Sequence, residues 1–287
     1  QEFTEFKTMP EADLLCTEKG QVLTLPGERS VYDLNAQRAQ QLAPERKSKW
    51  ANASAAERIT TVRSVLGIQP SADAEKPTSD KAGKVQRDGY HIDKLVIHTA
   101  SGVPLPALTY HPEDPSDEAY LYLHDGGKQA DGGPGGPIEA LVKKGFVVVS
   151  VDLRGQGETA NGKPDAVLGD WKTFYLAYLL GQSMVGAHTE DILAASDWVA
   201  AYQSKTPRRV HLVAVGRVGV AALHAAALRE QGFASIALKN SPTDWTTIAG
   251  SPAESSHLTA TVHGALAEYD LPDLVGMIGA DKVRFEK

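Results

Sequence analysis

The hydrophobic pattern of this 287-residue chain changes character near Asp88. Before that point apolar residues are sparse and sit at helical spacing. Ser54-Ala55-Ala56-Glu57 is a capping box, in which the serine hydroxyl and the glutamate carboxylate each satisfy a backbone N–H of the other residue. It predicts a helix running to a stop at Gly67. A second helix, charged on one side, is predicted over Ser30–Arg46. The stretch 69–83, rich in Pro, Asp, Lys and Ser, has too little apolar content to fold alone and reads as a loop or linker. Residues 1–88 are therefore expected to form a helical N-terminal extension with its linker.

From residue 89 onward the pattern is that of strands and helices in alternation. His91–His98 and Val103–Tyr110 flank Ala100-Ser101-Gly102 and predict a hairpin whose second arm is exposed in its first half, because Pro104 and Pro106 cannot donate to a central ladder. Ala119–Leu123 is a third strand. Continuous apolar runs follow at Phe146–Val151, Val210–Val215 and Ala234–Leu238, and Lys282–Phe285 is the final strand. Between them, helices are predicted near Pro137–Lys144, Trp171–Leu180, Glu190–Tyr202 and Val218–Glu230. Unbroken apolar strands alternating with helices mean a mostly parallel sheet covered on both faces and entered by an antiparallel hairpin, an α/β architecture over 89–287.

Charge narrows the partners. Twenty-nine Lys and Arg against 36 Asp and Glu give a net charge of −7, which argues against a surface built to hold nucleic acid or anionic lipid. Apolar runs all fall short of the roughly 20 residues a bilayer crossing needs. Cys16, the single cysteine, cannot form an internal disulfide and reads as an incidental thiol. The start, Gln1-Glu2-Phe3-Thr4, has neither an initiator Met nor a signal-peptide pattern, as expected of a segment from inside a longer precursor. The compartment stays open, with export to the periplasm or beyond slightly favoured.

Ligands of such a sheet collect at the carboxyl ends of its strands. One end is His124-Asp125-Gly126-Gly127, followed by a Gly- and Pro-rich run; paired glycines let backbone N–H groups approach a developing oxyanion, and a plain turn into a helix fits equally. Another is Asp152-Leu153-Arg154-Gly155, where the charges are expected to brace the loop. A third is Val215-Gly216-Arg217-Val218-Gly219-Val220, in the strand-to-helix setting of a nucleophile elbow, G-x-S-x-G. Ser241 ends a strand and reads as a capping residue, with no spacing that ties it to His257 or His263. His188 is expected at a helix start, as a capping or ion-pairing residue. His124, Asp125 and Asp152 are the best metal donors, but no ligand spacing supports a site, and no cofactor motif occurs.

The runs Val151–Thr159, His211–Leu228 and Ala265–Leu274 resemble α/β-hydrolases, and among them bacterial acetyl xylan esterase-like hydrolases; Leu25–Tyr32 resembles the segment joining two units in tandem members. The resemblance implies an α/β-hydrolase sheet, truncated at its C-terminal end because the acid and histidine positions would follow beyond Phe285. It places the first elbow glycine at Gly216, the nucleophile at Val218 and the last glycine at Val220, so that the elbow Gly216-Arg217-Val218 is degenerate: valine has no heteroatom. It also implies substrate contacts at His124, Asp125, Gly126, Gly127 and Arg154. Two functions follow as expectations. One is a silent or supporting domain of a carboxylic-ester hydrolase acting on esterified polysaccharide, partnered by another hydrolase domain or chain, with the last strand covered by another chain, another domain or the N-terminal extension. The other is an active esterase using a non-standard serine, or a triad completed from another domain or chain.

Overall fold

The computed structural model describes residues 8–68, 75–160, 162, 171–229, 232–251 and 255–287. Two N-terminal helices come first, α1 (Val31–Asn52) and α2 (Ala55–Leu66). Both start on the reciprocal serine–carboxylate box, Ser30 with Asp33 and Ser54 with Glu57, and α2 stops at Gly67 in the left-handed region. α1 does not end at Arg46 but passes through Pro44 to Asn52. The lost backbone hydrogen bond is offset by docking, since Arg46 and Trp50 beyond the proline are both buried.

The sheet begins earlier than expected. β1 (Thr78–Arg87) begins inside the stretch 69–83 taken for a linker and is a ten-residue strand; residues 69–74 lie outside the described residues. Its sequence hides it, because none of its side chains is fully buried and it pairs on one side only, with β2 (Tyr90–His98). Polar, lysine-bearing strands are what sheet edges use. β2 pairs antiparallel with β3 (Pro104–Pro112), and β3 pairs antiparallel with β5 (Val147–Val151). The β5 ladder starts at Ala107, just past the two prolines.

Beyond β5 every pairing is parallel: β4 (Glu118–His124), β6 (Arg209–Val215), β7 (Ile236–Lys239) and β8 (Val283–Glu286), giving the order β1-β2-β3-β5-β4-β6-β7-β8. β8 is outermost, with Phe285 exposed. α3 (Pro137–Val142) covers one face, packing Ile138 and Val142 on Tyr110, Tyr122 and Val148. The opposite face carries the larger core, where Leu121, Leu123, Val149, Leu212 and Ala214 meet α2, α5 (Met184–Ala201) and α6 (Gly219–Leu228). α4 (Trp171–Leu179), α7 (Trp245–Gly250) and α8 (Leu271–Ile278) complete the helices used below.

α5 starts six residues before its expected beginning. Ser183 caps it by accepting from the Gly186 N–H at 2.9 Å, and its first turns are buried throughout, so no polar–apolar alternation marks them. His188 is consequently inside the helix and buried rather than at its start.

Candidate functional site

The carboxyl ends of β4, β5, β6 and β7 lie side by side, and β6 is the strand whose end governs the site. It gives way to α6 through Gly216, Arg217 and Val218. Gly216 has φ +92°, a conformation that side-chain-bearing residues rarely adopt. Its N–H donates to the Lys239 carbonyl at 2.8 Å, and its own carbonyl accepts from the Ser241 hydroxyl at 2.8 Å. Ser241 gives its second contact to the Lys239 carbonyl, 3.2 Å away. The serine thus braces the turn, as the sequence reading held.

Asp125, the first residue after β4, reaches across to this turn. Its Oδ2 accepts from the Arg217 N–H at 2.8 Å and from Arg217 Nε at 3.1 Å, and its Oδ1 accepts from the Val218 N–H at 2.9 Å. A carboxylate at the start of a helix satisfies N–H groups that have no intrahelical partner and meets the positive end of the helix dipole. The fit is close: a Cβ added to Gly216 would stand 2.5 Å from Asp125 Oδ2.

The neighbouring loop is equally self-satisfied. Gly126 donates its N–H to His124 Nδ1 at 2.8 Å, and Gly127 donates to the His124 carbonyl at 2.9 Å. Neither amide is left to meet an oxyanion. His124 Nε2 lies 4.0 Å from Asp131, which accepts from the Tyr122 hydroxyl at 2.7 Å. Lys128, which carried no sequence signal, is buried beneath: its Nζ donates to Asp152 at 2.6 Å and to Glu158 at 2.5 Å, while its N–H donates to Asp152 at 2.6 Å. Burial pulls the ammonium pKa down, but the two carboxylates outweigh it and hold it above the ordinary value.

Arg154 turns away from the strand ends. It donates through Nε at 3.0 Å and Nη2 at 2.6 Å to the fully buried Asp191 of α5, and its carbonyl accepts from His188 Nε2 at 2.8 Å. The brace expected of Asp152 and Arg154 is present. Burial lowers the His188 pKa below its ordinary value. His263 packs edge-on against Tyr178. Among the described residues no three His, Cys, Asp or Glu side chains are gathered to hold a metal ion, and no helix is long and apolar enough to cross a membrane.

No protein-family model matches the chain, and no curated protein matches it. Solved structures do. A Bacteroides fragilis protein described as a candidate acetyl xylan esterase superposes with a TM-score of 0.62 at 14% identity, over 80% of this chain and 66% of its own. The glucuronoyl esterase of Solibacter usitatus gives 0.54 at 14% identity, over 82% and 74%. A methylesterase gives 0.51 at 16% identity, over 90% and 51%. The fold is that of the α/β-hydrolases. At these identities the likeness is one of fold, and the chain spans about two thirds of the first of these proteins and half of the methylesterase.

In an α/β-hydrolase the nucleophile stands on the strained turn between a buried strand and the following helix, and the N–H of the next residue forms part of the oxyanion hole. In this turn the residue with a positive φ is Gly216, which directly follows β6. The motif reading puts the nucleophile at Val218 instead. Val218 is 3% exposed, belongs to the main core and has ordinary helical φ and ψ, so it does not present a side chain at the strand ends. Gly216 and Gly219 allow the motif to be read in more than one register. The N–H of the residue that follows Gly216, Arg217, is taken up by Asp125. Of the expected substrate contacts, His124, Asp125, Gly126 and Gly127 are brought beside the elbow, and Arg154 is committed to Asp191.

Proposed function

We propose that this chain is a silent α/β-hydrolase domain of a carboxylic-ester hydrolase-type protein, one that supports a catalytic hydrolase unit on another domain or chain and does not cleave esters itself. The observation that carries the reading is the elbow: glycine stands in the nucleophile place, and the Asp125 carboxylate is hydrogen-bonded to the N–H that would stabilise an oxyanion. Loss of a nucleophile alone leaves a hydrolase some residual rate enhancement from its oxyanion hole. Here that residual source is also filled, by a group of the same charge as the intermediate. The esterase folds beside which the chain superposes support esterified polysaccharide as the substrate class of the whole protein.

The alternative of an active esterase needs a serine elsewhere or a triad completed from outside. Ser241 spends its hydrogen on backbone carbonyls, and an external nucleophile would still meet Asp125 at the oxyanion position. The test is turnover of p-nitrophenyl acetate and of acetylated xylo-oligosaccharide by the purified chain. No release above buffer is expected. Saturable release that survives repurification would overturn the reading.

A further inference from the structure

Helix α4 is apolar on the side it turns to solvent as well as on the side it turns to the domain. Phe174 and Tyr178 line a cleft with Val65, Val262 and His263, although Tyr178 is itself 49% exposed. Outward, Tyr175, Leu176 and Leu179, with Leu180 just past the last turn, are 50%, 61%, 78% and 76% exposed. None of the helix's residues is fully buried. A surface helix ordinarily carries polar side chains on its outer face, and one that is apolar all round belongs under cover.

We propose that this outer face is where two copies of the chain meet, α4 against α4 about a twofold axis. The patch amounts to about 500 Å² of apolar surface per copy, at the upper end of what a monomer leaves bare and enough for the apolar centre of an interface that buries roughly 800 Å² per partner. Its chemistry fits its own copy. The sequence from Thr173 to Ala187 holds no charged residue, so the patch offers two net-negative chains a place to approach without repulsion. Leu176, Leu179 and Leu180 stand at the i, i+3, i+4 spacing that interdigitates with an identical antiparallel ridge. Antiparallel pairing also brings Lys172, at the N-terminal end of the stripe, towards the partner's helix C-terminus, the negative end of its dipole. The inference is independent of whether the elbow is catalytic.

The test is the mass of the purified chain by light scattering and sedimentation from about 1 to about 100 µM. The expected result is twice the chain mass of 30.7 kDa at the upper concentrations. The double variant Leu176→Glu/Leu179→Glu should return the mass to that of one chain while circular dichroism stays unchanged, and Leu179→Ser serves if the double variant folds poorly. A wild-type monomer throughout, or a dimer that both variants leave intact, would overturn the proposal.

Discussion

Asp125 and Gly216 are matched to each other atom by atom, and substitution at either should show it. Gly216→Ser places a Cβ against the carboxylate on a backbone at φ +92°. It should cost about 2 kcal/mol, read as a lower urea midpoint, and should bring no ester turnover. Adding Asp125→Ala should recover part of that loss by removing the clash. A fully stable single variant would mean that the carboxylate is not held at the turn. The sequence showed that the elbow lacks a heteroatom, but it could not show which residue stands at the turn, because that depends on a backbone angle. Nor could it show Asp125 in the nest, which lies 92 residues from Arg217 along the chain. His224 carries a second residue-scale prediction. It is buried on α6, donating from Nδ1 to the Val220 carbonyl and accepting at Nε2 from the Tyr269 hydroxyl. Burial lowers its pKa from 6.5 to about 4, so the unfolded chain takes up the proton first. Its contribution to stability is complete above pH 6.5 and is lost as pH falls towards 4, amounting to about 3 kcal/mol. In His224→Gln the acid-side slope of stability across that window should flatten; an unchanged slope would assign it to other groups.

At the scale of elements, the buried strands and their helices were legible because each carries an unbroken apolar run, and the hairpin because its turn and prolines are local signals. Two of the misses share a cause, since β1 and the first turns of α5 lack the contrast on which periodicity depends, whereas α1 outruns its expected end because docking outweighs Pro44. β1 is polar on both faces as an edge strand, and the start of α5 is buried on every side. Lys128 was missed for a related reason, since a lone lysine after two glycines reads as a solvated turn. It instead ties the loop after β4 to the loop after β5 through Asp152 and Glu158. Lys128→Met should cost about 3 kcal/mol by leaving the buried Asp152 carboxylate without its cation. Denaturant unfolding measures this, and a loss below about 1 kcal/mol would show the pair to be dispensable.

On the scale of the whole molecule, the N-terminal helices are built into the hydrolase core. Arg46 of α1 donates to the Leu266 carbonyl at 3.0 Å, and Trp50 packs on Tyr269 with ring centroids 5.6 Å apart. Asp270, beside Tyr269, holds the start of α7 by accepting from the Trp245 N–H at 2.8 Å. Trp50→Ala should therefore lower stability by about 3 kcal/mol in one cooperative transition; a separate early transition for the helices would contradict this integration. The proposed silence rests on the turn after β6, where Gly216 offers no nucleophile and Asp125 takes up the Arg217 N–H. Intact-mass analysis after incubation with a fluorophosphonate tests it most directly, because the reagent reacts with any serine that an oxyanion site and a base have activated. An unmodified chain is expected, with parallel labelling of a control serine esterase. Stoichiometric labelling of one serine in this chain would contradict it.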